Sequence, residues 1–490
     1  MTIPKEVKLI LQKLKENNFQ AFAVGGCVRD LILKRAPKDW DVATNATPEE
    51  IQKIFPDSFY ENSFGTVGVK IKDNGNPLSA EILDPIQVIE VTTFRTESGY
   101  SDQRHPDAVK FALTVEEDLK RRDFTINAIA LDEAGEFIDP YNGRADIKAK
   151  IIRAVGNADE RFQEDALRLM RAVRLATELN FTLEPITLTA IRANAGLLKT
   201  ISAERMRDEL IKIINTPRAE AGIKLLEECQ LLEFILPELR EGIGVGQNLH
   251  HIYNVWEHNL GALRYTCEQE YSLAVRLAAL LHDVGKPRSK RGDGKFSTFY
   301  AHEMIGAKMT ARIMERLRFP GELADKITKL VRWHLFYYNV GEVTETSVRR
   351  LVANIGKENV EDLIKVREAD RIGSGVPKAK PYKLRHLQFM IDKVARDPLS
   401  PKLLKMNGSD LMALLKIDPG PKVGMIINAL MDEVLDEPTQ NTKEYLEERA
   451  SELAKLSEEE LRALASAGKE KIKEEEEKEV GKIKQKHFVS

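Results

Sequence analysis

The 490-residue sequence predicts an α+β domain at its N-terminal end followed by mainly α-helical domains. Three observations carry this. Ala21–Val24 is a short apolar run that reads as a buried strand, and the glycine pair ending it opens a helical pattern with Val28, Leu31 and Ile32 on one face. Thr66–Ile71 and Val88–Phe94 read as further strands. From Glu160 onward apolar residues recur at helical spacing, and from His250 the composition turns helical with a different set of polar residues.

Composition sets the outer bounds. Hydrophobic residues make up 42% of the chain, enough for several packed cores, so three or four domains are expected. The formal net charge is −3, so any polyanion must be met by a local basic surface, for which the arginine-dense stretch Arg153 to Arg174 is the candidate. Cys27, Cys229 and Cys267 are widely spaced with no C-x-x-C, which fits a reducing compartment without a disulfide framework or zinc knuckle. Residues 1–18 read as a lysine-bearing amphipathic helix, and no run approaches the ~20 apolar residues of a membrane span. A cytoplasmic protein with no membrane partner is expected, monomer or homodimer.

Within the first domain the chemistry concentrates early. The strand, glycine turn and helix start at Gly25, Gly26 and Arg29 form a cradle for a triphosphate, because backbone N–H groups and a guanidinium converge there. Asp39 and Asp41 follow, two residues apart in an extended stretch, so both carboxylates point to one face. Such a pair repels itself unless a cation intervenes, and Mg²⁺ shared with substrate phosphates meets that need. Thr47 to Glu50 supplies a helix cap, an N1 proline and first-turn acids. Glu90, on the strand Val88–Phe94, is open to two readings, a third metal-site carboxylate or a solvated strand residue. The polar stretch Arg95–Pro106 reads as a surface hairpin.

These residues carry a resemblance. Gly25, Gly26, Val28, Arg29 and Asp30, then Asp39 and Asp41, and further on Arg121, Arg122, Asp123, Phe124, Thr125, Asn127 and Ala128, match the two hallmark motifs of the class II tRNA nucleotidyltransferases and bacterial poly(A) polymerases. The chain resembles that family over all but about its last tenth. The resemblance implies a polymerase-beta-like nucleotidyltransferase head, with Asp39, Asp41 and Glu90 catalytic and Gly25, Gly26, Arg29, Arg122, Asp123 and Asn127 binding nucleotide. It makes Arg95–Pro106 a flexible loop found in CCA-adding and A-adding enzymes and lacking in those that add only C. It also assigns the segment Leu119–Ala130, which reads as a charged cap before a helical run, to the nucleotide sugar.

Glu160–Phe181 reads as one long helix in which Asp165 and Arg168 are neighbours. Glu164, Asp165 and Arg168 match the family's E-D-x-x-R motif, which pairs with the Watson–Crick edge of the incoming base, and Arg171 and Arg174 are counted with them. Arginine suits the O2 and N3 acceptors of cytosine, and a carboxylate accepts from the exocyclic amine that C and A share. Glu204, Arg205 and Glu209 match E-R-x-x-x-E, and Ser202 with its glutamate forms a plausible cap.

Further on, His258, His282-Asp283, His302, His334 and Asp370 stand in or beside predicted helices, in the order H…HD…H…H…D. Histidines and aspartates on several helices facing one interior are typical metal ligands. The order resembles the HD-domain phosphohydrolases. That match gives His258, His282, Asp283 and Asp370 a divalent transition metal or Mg²⁺, with His302 and His334 placed for a second ion. His250 and His251 are left as structural or substrate-facing.

The domains expected are a head (1–148), a helical neck with the nucleotide-selecting helix (149–240), an HD domain (241–380), a helical tRNA-binding module (381–450) and a charged helical or disordered tail (451–490) with no core-forming face. Pro419–Gly424 is read as a turn meeting an RNA backbone or as plain helix packing. The function implied is addition of CCA to tRNA from CTP and ATP, with a phosphohydrolase activity in the HD domain. An A-adding enzyme is the alternative, an HD phosphohydrolase with a nucleotide-binding head the alternative of another class. A poly(A) polymerase fits less well, since such relatives usually carry a basic C-terminal extension.

Overall fold

The computed structural model describes residues 3–62, 65–71, 87–98, 108–248, 252–292, 294–395 and 404–489. It divides into two compact units, Met1–Leu335 with Lys365–Pro377, and Phe336–Ile364 with Lys378–Ser490.

The first unit opens with the helix Lys5–Glu16, which buries Val7, Ile10, Leu11 and Leu14 along one stripe. The head then runs β1 (Ala21–Val24), β2 (Asp41–Thr44), β3 (Ser58–Asn62), β4 (Thr66–Ile71), β5 (Gln87–Thr93), β6 (Arg95–Ser98), β7 (Ala108–Phe111), β8 (Ala130–Leu131) and β9 (Phe137–Ile138). Among the described residues one sheet has the order β3-β4-β5-β2-β1-β8-β9. β2 and β5 run parallel, with Asp41 opposite Glu90, while β1 lies antiparallel to β2. Phe94, Val115, Leu119 and Ala130 pack with Val24 into a core under this sheet. β6 and β7 pair as the stems of the expected hairpin; residues 99–107 of its tip lie outside the described residues, as do His250 and His251. Thr47 and Glu50 form the capping box read from the sequence.

Two expected helices differ. Leu119–Ala130 is no helical run: the helix Val115–Lys120 ends, Thr125–Asn127 makes one 3₁₀ turn, and β8 follows. Its backbone pairs outward instead, Thr125 N donating to Arg153 O and Val155 N to Asp123 O. The Asp123 side chain accepts from Phe124 N, which gives the chain a local alternative to helix. Glu160–Phe181 is likewise two helices, Ala158–Glu164 and Leu167–Leu179. Asp165 is extended at the break, φ −140°, and its carboxylate accepts from Leu167 N.

The helices that follow include Ala203–Ile214, Ala219–Glu228, Val255–Glu268, Leu273–Leu281, His302–Arg316 and Gly321–Trp333. Buried Arg276 donates to Ile214 O and Thr216 O, tying Leu273–Leu281 to the C-terminal end of Ala203–Ile214. Ser202 precedes Ala203–Ile214, but its side chain makes no capping bond.

In the second unit Val348, Ile364, Leu384, Leu387 and Ile391 form one cluster, so the helix Glu345–Ile355 packs with Tyr382–Ala395. Pro421 is the first residue of the helix Pro421–Asp436, where its missing N–H costs nothing, so the turn at 419–424 serves as a helix start. The charged tail does contribute to a core. Glu458–His487 is a single helix that buries Leu461 and Ile483, and Ile483 and Val489 pack on Phe389. Widely separated apolar residues in a Glu/Lys-rich sequence conceal such a face. No described helix is long and apolar enough to cross a membrane.

Candidate active site and metal centre

The two hallmark motifs meet at Gly25. Its φ is +80°, and a Cβ there would lie 2.7 Å from Arg122 Nη1 and 3.8 Å from Asp41 Oδ2. Only glycine lets the turn, the arginine and the carboxylate come so close. Asp41 begins β2, half-buried, and Asp39 stands exposed before it; buried Trp40 between them points into the core, so the two acids share the outer face. Burial raises the Asp41 carboxyl above its ordinary value, Arg122 opposes this, and Asp39 adds to it. An acid whose charge is disfavoured by burial and by a neighbouring carboxylate fits a divalent cation. The β2–β5 register sets Glu90 beside Asp41, yet Glu90 is exposed and does not gather with Asp39 and Asp41 into a three-carboxylate group.

Behind this face a buried chain links the motifs. Arg29, 9% exposed, is ion-paired to Asp30 and donates from Nη1 to Asn127 Oδ1 at 2.8 Å. Asn127 Nδ2 donates to Asp123 Oδ1 at 3.1 Å, and Arg171 reaches Asp123 Oδ2 at 2.5 and 2.9 Å. Burial works to raise the Asp123 carboxyl, but Arg171 and Asn127 override it and hold the group far below the carboxylate range. Asp123 is thus a permanent anion that fixes Arg171 and Asn127.

Within the E-D-x-x-R residues Arg168 pairs with Glu164, while the Asp165 side chain turns to another partner. Asp165 Oδ2 accepts from Arg205 Nη2 at 2.9 Å, while Arg168 donates to Glu164 at 2.7 Å and to the carbonyls of Arg161 and Arg121. The helix break turns Asp165 away from the Arg168 face. Arg174 pairs instead with buried Glu209, at 2.9 Å. Sequence reasoning missed Asp118, 1% exposed, which holds both Arg121 and Arg122 at 2.7 and 3.2 Å and accepts from Arg95 N. The signal was present, since residues three and four apart face each other on a helix.

The second constellation is assembled by the HD-region helices. Asp283 stands between two groups: Oδ2 lies 3.0 and 3.3 Å from Nε2 of His258 and His282, and Oδ1 lies 3.2 and 3.6 Å from Nε2 of His302 and His334. Asp370 Oδ1 completes the first group, 3.3 Å from His258 and 3.6 Å from His282. His282, His302 and His334 each place Nδ1 at 2.7 Å from the carbonyl three residues back, at Ala279, Phe299 and Val331. That bond commits Nδ1 as donor and leaves Nε2 as the atom that faces Asp283. Close approach makes this possible: a Cβ on Gly285 would lie 2.3 Å from His302 O.

The set fits metal by its own chemistry. His258 and His282 bring Nε2 atoms within 2.8 Å. Burial alone would lower His282, but Asp283 and Asp370 push it up to about 10, and His258 is raised in the same way. His334, also buried, is lowered. Two imidazoles that both favour a proton cannot face each other protonated at that distance; one dication resolves the conflict. Asp283, with one oxygen in each group, suits a bridging ligand between two ions.

Comparison with known proteins follows this division. Residues 21–153 match the family model of the Poly A polymerase head domain, 180–243 the model described as "Probable RNA and SrmB- binding site of polymerase A", and 255–373 the HD domain. The chain is 48% identical over 227 residues to a CCA-adding enzyme of Geobacillus stearothermophilus, 46% of this chain and about half, 53%, of that protein's length. It is 37% identical over 340 residues to the A-adding tRNA nucleotidyltransferase of Deinococcus radiodurans, 66% of this chain and 76% of that one. It is 34% identical over 437 residues to the CCA-adding enzyme of Streptococcus thermophilus, 89% of this chain and 94% of that one. The crystal structure of the Bacillus stearothermophilus CCA-adding enzyme in complex with CTP is similar with a TM-score of 0.57, at 30% identity, over 92% of this chain and 98% of that one. The shared head, RNA-binding and HD segments, with the extended match to these relatives, establish that the chain belongs to the CCA-adding enzyme and poly(A) polymerase family of nucleotidyltransferases.

Proposed function

We propose that the chain adds C, C and A to the 3′ end of tRNA from CTP and ATP without a nucleic-acid template. The observation that carries this is the meeting of Gly25, Arg122 and Asp41 at one point, with Asp165 at the break between two helices and Arg168 in the first turn of the second. Asp39 and Asp41 would hold Mg²⁺, which supplies charge neutralisation at the α-phosphate and acidifies the tRNA hydroxyl. Arg122 and the Gly25–Gly26 turn receive the triphosphate, and Asp123 with Asn127 orients the sugar. Arg168, once released from Glu164, offers donors to the base edge, and Asp165, held in place by Arg205, offers a remaining carboxylate lone pair as acceptor. Segment 180–243 and the helices beyond engage tRNA by backbone and shape, as any enzyme serving every tRNA must.

The HD constellation supports a second activity. His258, His282, Asp283 and Asp370, with His302 and His334, would hold one or two divalent ions, which supply an activated water for a phosphate ester. An A-adding enzyme is the second reading for the head, favoured by the match to 76% of the Deinococcus radiodurans protein. Asp41→Ala should abolish nucleotide incorporation and leave phosphate-ester hydrolysis in place, and His282→Ala with Asp283→Ala should do the reverse. Incorporation surviving Asp41→Ala would overturn the head assignment, and hydrolysis surviving the HD substitutions would overturn the second.

A further inference from the structure

Beside the histidine and aspartate groups lies a cavity of about 560 Å³, larger than a bare phosphate requires. Its walls differ in chemistry. Arg367 and Arg371, one helical turn apart, both line it; Arg367 holds Asp370 through Nη1 at 2.5 Å, and its other guanidinium nitrogens and Arg371 border a space that an anion would occupy. Tyr300 lines it too and is 74% exposed, a flat face at the mouth. One polar residue of the wall, Asn248, comes from the segment that precedes the HD helices. Gln247 and Asn248 belong to the linker leaving the neck, and Gln247 Oε1 accepts from Lys286 Nζ at 2.6 Å while Lys286 pairs with Asp283 at 2.6 Å. Asn248, the next residue, lines the cavity, and its side-chain oxygen is buried without a hydrogen-bond partner.

We propose that this pocket takes a nucleoside phosphate whose ribose hydroxyl is read by Asn248. The inference rests on the phosphohydrolase reading of the HD site. Phosphate sits against Arg367 and Arg371, the base stacks on Tyr300, and the sugar passes the linker. A hydroxyl is the group that suits Asn248, because it donates to the carboxamide oxygen or accepts from the amide, whichever the side chain turns inward. A sugar lacking it leaves a buried polar group unpaired. The linker thereby makes the pocket dependent on the neck.

The test uses the full chain with Mn²⁺ and three esters: adenosine 3′-phosphate, its 2′-deoxy analogue and p-nitrophenyl phosphate. The ribonucleotide should exceed the deoxy form in kcat/KM by roughly tenfold, the size of one hydrogen bond to an otherwise unpaired group. Asn248→Ala should erase that ratio by lowering the ribonucleotide value alone. Calorimetric titration of the metal-free chain should show the same ratio in Kd and the same loss in Asn248→Ala. Hydrolysis of p-nitrophenyl phosphate with equal rates on both nucleotides would overturn the inference and leave the phosphohydrolase reading standing. An unchanged ratio in Asn248→Ala would also overturn it. Hydrolysis of none of the three would overturn both.

Discussion

Gly25 shows how one missing atom organises an active site. Its Cβ would collide with Arg122, and its positive φ strains any other residue, so Gly25→Ala should push Arg122 off Asp41. The expected outcome is a loss of incorporation of roughly a hundredfold with about 1–2 kcal/mol lost in stability. Urea unfolding beside a primer-extension assay separates the two, and a variant with full incorporation would contradict the placement. Asp123 makes a different prediction. Its folded-state pKa is depressed, so its contribution to stability is full above the ordinary carboxylate range and fades as pH falls below about 4. Asp123→Asn should therefore be destabilised at pH 7, with the gap to the native chain closing in acid; a gap independent of pH would refute the Arg171 pairing. At the HD centre His282, pushed up to about 10, holds a proton at pH 8 that a metal must displace. Adding Mn²⁺ to the metal-free chain at pH 8 should release about one proton, read by an indicator dye. Binding without release would contradict the arrangement of His258 and His282.

At the scale of elements, motifs within one segment were legible and partners across segments were not. The strand, glycine turn and helix at 21–32 follow from hydrophobic period and turn chemistry alone. The HD ligand order predicted a cluster because His282, His302 and His334 are each fixed locally through a carbonyl three residues back. The break at Asp165 was hidden: apolar spacing runs straight through 160–181, and the aspartate that interrupts it is drawn to Arg205, forty residues away. Arg205 therefore sets where Asp165 points. Arg205→Ala should leave incorporation of C and A within about tenfold and raise misincorporation of U and G, since a loosened carboxylate discriminates less. Unaltered fidelity in single-nucleotide incorporation assays would show that Asp165 needs no support. The tail was misjudged for a similar reason. Ile483 meets Phe389 and Val489 by tertiary contact, which charge-rich composition conceals. Ile483→Ala should cost about 2 kcal/mol in thermal unfolding. No shift would mean that the helix contributes no core.

For the whole molecule, the sequence separates two chemistries and the structure gives each its own construction. The head builds its site on the central strands β1 and β2 and a glycine turn, with carboxylates outward and a buried arginine and aspartate chain behind. The HD region buries its ligands among helices and joins them through Asp283. Legibility fell where residues act through partners that only folding brings near, as with Arg205 on Asp165 and Glu209 on Arg174. The account is tested most directly by presenting the purified chain with labelled CTP and ATP and three tRNA transcripts, one ending before CCA, one in C and one in CC. Extension of all three to CCA is the predicted result. Addition of A to the CC-ended transcript alone would contradict full CCA addition and make this an A-adding enzyme, and no addition to any would contradict the nucleotidyltransferase reading itself.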